Sequence, residues 1–312
     1  MNKIINQKIN NINFQLAESA DLSFLSSLGE VFAVFDQNDS GNISFGVKNK
    51  LNKKFFIKIA GLQTCNMKVD KTNAIQILNE SVEKYHQLAD PQLISLIDAF
   101  YQNELFITIF EWFDGECLFD HWNFDFYAKN PEIISPNEKF RQLSVEQKVI
   151  FSNKILSFLE KVDNKNYAAI DFYDSSIIYN FKTNDFKVCD IDLFQKMSTY
   201  NKVGKDFWGS QRMKSPEEYL LNEPIDSRIN VFKAGALFMN LFGRFTNEQY
   251  VKIYDYNELV PVHFENFSLP YELYLLLLKS VHKNPQYRYQ TISEFKRAWI
   301  KEQKLLTNIS NK

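Results

Sequence analysis

Hydrophobic and polar positions divide the chain into a strand-like front and a helical rear. Val31–Phe35, Asn42–Val47 and Phe55–Ala60 are β-branched and aromatic runs. The polar turn Asp36-Gln37-Asn38-Asp39-Ser40-Gly41 separates the first two, so the pattern predicts a meander of strands. A helix is expected over Asn73–Leu88, where Ala74, Leu78, Val82 and Tyr85 recur at three- and four-residue steps. Two more strands, Leu93–Tyr101 and Leu105–Trp112, follow. After Asp114-Gly115 the period changes. Leu143–Val162 reads as an amphipathic helix, with Val145, Val149, Ile150, Ile155, Leu156 and Leu159 apolar. A short acidic hairpin comes next, then helical segments at Glu217–Leu221, Asn230–Leu241, Tyr271–Val281 and Ser293–Lys304. The two parts meet at Glu111–Gly115, and no internal repeat is visible. Between Cys117 and Gln142 lies an Asn-, Phe- and Pro-rich insert, read as a surface elaboration.

A chain of 312 residues can bury a large core and is expected to hold two lobes or domains. With 24% charged residues and a net charge of −2, nothing points to a nucleic-acid partner. The three cysteines, Cys65, Cys117 and Cys189, form no CxxC pair, which fits free thiols in a reducing compartment. His86, His121, His263 and His282 are scattered, which argues against zinc and hydrolase chemistry. Met1–Asn13 lacks the apolar core of a signal peptide, and the run at Leu273–Leu278 is too short to span a bilayer. The expectation is a cytoplasmic protein with no membrane partner.

Candidate chemistry centres on two acids. Asp171 lies in Ala169-Ile170-Asp171-Phe172-Tyr173-Asp174-Ser175-Ser176, and Asp190 ends the apolar strand Phe186-Lys187-Val188-Cys189. An acid on a loop, a hairpin and an acid at a strand end can bring two carboxylates together. One then orients a nucleophilic hydroxyl and the other holds a metal on a polyphosphate. A second acidic segment, Asp36–Ile43, matches the start of a calcium-binding loop. It has Val47 where the bidentate glutamate belongs, and it reads as a hairpin turn.

In this order of elements the chain resembles eukaryotic-like serine/threonine protein kinases, from about Val31 to Trp299. Phe56-Ile57-Lys58-Ile59 resembles the third-strand lysine motif, which implies that Lys58 grips the ATP phosphates. A lysine on an apolar strand is costly to bury unless paired. Strict spacing for its helix glutamate lands on Ser81, and the neighbouring Glu80 is the residue chosen. Ile109–Leu118 resembles the interlobe hinge, implying adenine binding by the backbone of Glu111 and Phe113, with Phe110 as gatekeeper. Asp171 then stands for the catalytic-loop aspartate, Asp190 for the magnesium-binding aspartate and Ser176 for the metal-binding asparagine. Gly209-Ser210-Gln211-Arg212-Met213-Lys214-Ser215-Pro216-Glu217 resembles the end of the activation segment. Asp226–Gly235 resembles the start of the central helix, and Asn284-Pro285-Gln286-Tyr287-Arg288 a late arginine motif. The resemblance implies a buried ion pair between Arg288 and Glu217.

The chain departs from the pattern near the acids. Ala169-Ile170 replaces His-Arg, leaving no anchor for a phosphorylated activation segment. Tyr173 replaces a lysine, and Asp190-Ile191-Asp192 replaces Asp-Phe-Gly. The phosphate-covering loop lacks three spaced glycines. If Asp190–Asp192 is extended, residues i and i+2 share a side, so Asp192 could replace the metal ligand weakened at Ser176; Asp174 is another candidate.

The resemblance implies an α+β, bilobal protein-kinase-like fold with ATP between the lobes. A β-rich N-lobe is expected over 14–112 and an α-helical C-lobe over 113–305, with the insert at 117–142 and tails at 1–13 and 306–312. It implies an ATP- and Mg2+-dependent transferase acting on a hydroxyl, most simply a protein serine or threonine. Two other readings stay open: a nucleotide-binding pseudokinase scaffold and a small-molecule kinase. The insert could build an acceptor site of its own.

Overall fold

The computed structural model describes residues 4–120, 123–197 and 199–310. The chain is mixed α+β and divides into two compact units, Met1–Asp114 and Gly115–Lys312. Strands dominate the first and helices the second. Among the described residues no helix is long and apolar enough to cross a membrane.

The first unit begins with an antiparallel hairpin of β1 (Ile5–Ile9) and β2 (Ile12–Leu16), joined through Asn10 at φ +51°. The expected tail at 1–13 is thus largely strand. Alternating apolar residues put Phe14 and Leu16 in the core, with the Phe14 ring 5.5 Å from Phe45. After the short α1 (Leu25–Leu28) come β3 (Glu30–Phe35), β4 (Asn42–Lys48) and β5 (Lys54–Ala60). With β6 (Leu96–Gln102) and β7 (Leu105–Glu111) they form an antiparallel sheet of order β3-β4-β5-β7-β6. The calcium-like segment Asp36–Gly41 is the β3–β4 connection. One sheet face buries Ile43, Phe45, Val47, Ile57, Ile59 and Ile107. Alternation sends Ser44, Gly46, Phe56, Lys58 and Thr108 to the other face.

Helix α2 (Lys71–Gln87) is capped by the Asp70 carboxylate, which accepts from the Asn73 N–H at 3.0 Å. It packs on the sheet through Ala74, Leu78, Ser81 and Tyr85.

The second unit starts with β8 (Glu116–Cys117), α3 (Phe124–Lys129) and α4 (Pro136–Arg141). These lie in the expected insert, two of whose residues, 121 and 122, fall outside the described set. The insert is not merely superficial. Phe140 is fully buried, 4.8 Å from the Phe151 ring, and Arg141 donates to the carbonyls of Gly243 and Asn240. Helix α5 (Val145–Asn164) opens with a capping box between Ser144 and Gln147. It is followed by β9 (Tyr167–Ala168), β10 (Ile177–Asn180), β11 (Asp185–Val188), β12 (Gln195–Lys196), β13 (Thr199–Tyr200) and β14 (Pro224–Ile225). Strands β11-β10-β8 form a small antiparallel sheet, β12 pairs with β9, and β13 with β14.

Helix α6 (Ser227–Phe242) is buried on every side from Ile229 onward and is the centre of this unit. Around it stand α5, α8 (Tyr271–Ser280) and α9 (Ile292–Ser310). A further helix, α7 (Asn247–Tyr256), is not expected from the apolar pattern. Its signals are the Thr246–Gln249 capping box and Asn257, left-handed at its end. The expected tail at 306–312 instead continues α9 to Ser310.

Candidate active site

Asp171 is held by the backbone around it. Eight non-glycine residues have positive φ among the described residues; seven are asparagines in turns, bends or a helix cap, and the eighth is Asp171 at +59°. Such a conformation is tolerated where surrounding structure over-determines it, often at functional sites. The restraint comes from α6. Asn230 Oδ1 accepts from the Ala169 N–H at 2.7 Å, and its Nδ2 donates to the Tyr167 carbonyl at 2.9 Å and to Asp163 at 3.1 Å. On the other side Phe172 is buried between Phe158 and Phe194.

The Asp171 carboxylate is partly buried and accepts from the Ser210 N–H at 3.0 Å. Burial, and then the negative charge of Asp190, push its pKa up to about 7. The Lys233 ammonium and the Ser210 N–H pull the other way. A proton affinity matched to neutral pH is what a general base requires.

Asp190 follows β11 and is exposed. The Cys189 N–H bonds to the Ser176 carbonyl at 2.8 Å, which extends the β10–β11 pairing up to this acid. The condition for Asp192 to act beside it is not met. Ile191–Phe194 closes a turn, the Phe194 N–H bonding to the Ile191 carbonyl at 3.1 Å, so Asp190–Asp192 is not an extended strand. Asp192 is only 5% exposed whereas Asp190 is exposed, and the Asp192 N–H lies 3.4 Å from Asp190 Oδ1.

Ser176 is likewise turned inward. It is 1% exposed, and its hydroxyl lies 3.5 Å from the Asp171 carbonyl and 3.5 Å from the Tyr173 N–H. Its hydroxyl is engaged within its own loop. Asp174 is tied up in a buried ion pair. It is fully buried, its two oxygens accept from Arg212 at 2.6 and 3.0 Å, and Asn240 donates to it at 2.8 Å. Among the described residues no three His, Cys, Asp or Glu side chains group as a metal cage.

Two buried ion pairs fix the stretch after Gly209 to α6 and to Arg288. Lys233, on α6, places Nζ 2.8 Å from Glu218 Oε1, and neither side chain is exposed. The second Glu218 oxygen accepts from the Ser215 N–H and hydroxyl at 2.7 and 2.8 Å. Glu217 forms the implied ion pair with Arg288, at 2.5 and 2.9 Å and buried.

In the first unit Lys58 lies on β5, 9% exposed, flanked in register by Ser44 and Thr108. Glu80 does not occupy the sheet-facing side of α2. It is exposed and accepts from Gln76 at 2.8 Å. Strict spacing gives the inward position correctly: Ser81 is fully buried, with its hydroxyl on the Leu78 carbonyl at 2.7 Å. Glu111 ends β7, its N–H bonded to the Ser95 carbonyl at 2.9 Å, and Phe113 is half-buried. Phe110 is buried with its ring 4.8 Å from Tyr85.

Arg212, Glu218, Lys233, Asn230 and Asn240 are not singled out as site residues by sequence. One signal is present: Lys233 and two asparagines interrupt an otherwise apolar helix, and buried polar groups require partners. Comparison with protein-family models and with curated protein sequences finds no match to this chain.

Proposed function

We propose that the chain is an ATP-dependent phosphotransferase with a bilobal protein-kinase-like fold, moving the γ-phosphate onto a hydroxyl of a protein serine or threonine. The observation that carries this reading is the state of Asp171. It sits in a left-handed backbone, is fixed by the Ser210 N–H, and has a pKa raised to about 7 by burial and the neighbouring Asp190. A carboxylate of that strength can orient an acceptor hydroxyl and take up its proton at neutral pH.

Lys58 is the phosphate-binding lysine of the proposal. Asp190 would hold magnesium, which takes one or two carboxylates and completes its shell with water and phosphate oxygens. The metal supplies neutralisation of the charge that develops on the transferred phosphoryl group. The Glu217–Arg288 pair favours a protein-kinase type of helical region over the small-molecule kinases. A cytoplasmic setting accords with its need for ATP.

A second reading, a scaffold without catalysis, is favoured by one observation. The inward position of α2 carries the fully buried Ser81 where the active pattern has a glutamate. Thermal-shift titration with ATP, with and without magnesium, tests nucleotide binding, and single-turnover transfer from labelled ATP tests catalysis. The proposal expects magnesium-dependent stabilisation lost in Asp190→Asn, and transfer lost in Asp171→Asn. Stabilisation by ATP without any transfer by the wild type would favour the scaffold.

A further inference from the structure

We infer that Lys233 is a positioning residue for Asp171, bracing the Gly209–Ser210 turn against the catalytic loop through its buried ion pair with Glu218. The functional side of this inference rests on the phosphotransferase reading.

Between Ile229 and Phe242 the buried helix α6 carries only three side chains with polar heads: Asn230, Lys233 and Asn240. All three serve the same region. Asn230 bonds to Ala169, two residues before Asp171, and Asn240 bonds to Asp174, three residues after it. Lys233 lies between them in sequence. A buried ammonium is costly, and an apolar residue would pack at this place in the helix more cheaply. Its presence there calls for a role beyond packing.

The geometry supplies that role. A methyl group placed on Gly209 would lie 3.6 Å from Lys233 Nζ, 3.7 Å from Glu218 Oε1 and 3.9 Å from the Asp171 nitrogen. The ion pair and the Asp171 backbone therefore meet at Gly209. This glycine has φ +131°, a conformation that side chains disfavour, and the next residue gives its N–H to the Asp171 carboxylate. The other oxygen of Glu218 is held by Ser215. The pair thus joins α6, the Pro216–Tyr219 turn of 3-10 helix and the Gly209–Ser210 turn.

Among the described residues neither Lys233 Nζ nor Glu218 Oε1 makes a well-directed hydrogen bond, so their 2.8 Å contact is an electrostatic one. It brings a positive charge to the loop whose own lysine position is Tyr173. Because the ammonium is fully buried, it acts through the turn and not by touching substrate.

The test compares wild type, Lys233→Arg, Lys233→Met and the charge-balanced double variant Lys233→Met/Glu218→Gln. Amide exchange at Ser210 is followed by NMR, together with kcat and KM for phosphoryl transfer. The double variant leaves no lone buried charge, so a purely structural role predicts recovery relative to Lys233→Met. The inference predicts that the double variant folds but exchanges the Ser210 amide roughly tenfold faster, as the turn opens locally. Its kcat falls on the order of a hundredfold, the scale of a lost preorganised contact, with KM for ATP unchanged. Lys233→Arg, which keeps the charge, retains both properties. Unchanged Ser210 exchange and unchanged kcat in the double variant would overturn the inference. Faster exchange in a protein whose wild type transfers no phosphate would uphold the brace and overturn the phosphotransferase reading instead.

Discussion

The Arg212 guanidinium holds both oxygens of the Asp174 carboxylate, at 2.6 and 3.0 Å, across 38 positions of sequence. Both side chains are buried, and the Arg212 head also lies 3.8 Å from the centre of the Phe119 ring. The pair ties the segment after Gly209 to the loop that carries Asp171. No phosphate is needed for this link. Neither Ala169 nor Ile170 carries a charge, and the link is made by Arg212 from the segment itself.

Breaking that pair should be costly. Arg212→Met leaves the Asp174 charge buried with only Asn240, and a loss of about 3–5 kcal/mol is expected. Adding Asp174→Asn removes the stranded charge and should recover part of the loss. Urea unfolding of both single variants and the double variant measures the coupling. Purely additive effects would contradict a direct pairwise interaction.

Stability should depend on pH through Asp171. Its pKa is raised from 3.8 to about 7 in the folded chain. The native state therefore keeps this proton where the unfolded chain has lost it. The contribution is fully present below the unfolded value and is lost as pH rises through the folded one. Every tenfold difference in proton affinity between the two states corresponds to about 1.4 kcal/mol. Asp171→Asn should thus gain on the wild type by up to a few kcal/mol as pH rises from about 4 to about 7. Paired unfolding curves across that range check the sign. On the phosphotransferase reading, kcat/KM of the wild type should rise with pH in the same window as Asp171 ionises.

Glu80 should be dispensable. It is exposed, and its hydrogen bond among the described residues runs along its own helix, from Gln76. Glu80→Ala is expected to change stability by no more than about 0.5 kcal/mol. It should also leave any ATP-dependent thermal shift as it was. A large loss of nucleotide response would restore Glu80 to the site.

Gly235 should tolerate no side chain. A methyl group there would lie 2.0 Å from Ser280 Oγ, 3.0 Å from Ser280 Cβ and 2.8 Å from Val281 Cγ1. Rotating the serine hydroxyl away does not relieve the last two contacts. Glycine to alanine within a helix would otherwise gain about 1 kcal/mol. Here overpacking between α6 and the end of α8 should reverse the sign, with a net loss of about 1–3 kcal/mol. A thermal melt of Gly235→Ala measures it, and a raised melting temperature would refute the close packing.

The sequence by itself determined most of the larger strands and helices and their order, because side-chain period and turn chemistry are local; α7 and the first hairpin lie outside that reading. Ala74, Leu78, Ser81 and Tyr85 share one face of α2 by helical geometry alone, and strict spacing selects Ser81 as the inward residue. The hairpin at Ile5–Leu16 stands where a tail over 1–13 is expected, its alternation around Asn10-Asn11 masked by the asparagine-rich composition. What only the tertiary structure decided was the fate of each charge. Asp174, Asp190 and Asp192 are similar acids within nineteen positions, yet one is locked to Arg212 and Asn240, one is exposed, and one is buried in a turn. Lys58 and Lys233 are both lysines in apolar surroundings, and only the fold gives Lys233 to Glu218. A carboxylate's chemistry depends on its desolvation and on charges brought near by distant parts of the chain. Those neighbours lie tens of residues away, beyond any local pattern, so the sequence located the acids and packing set the surroundings of each.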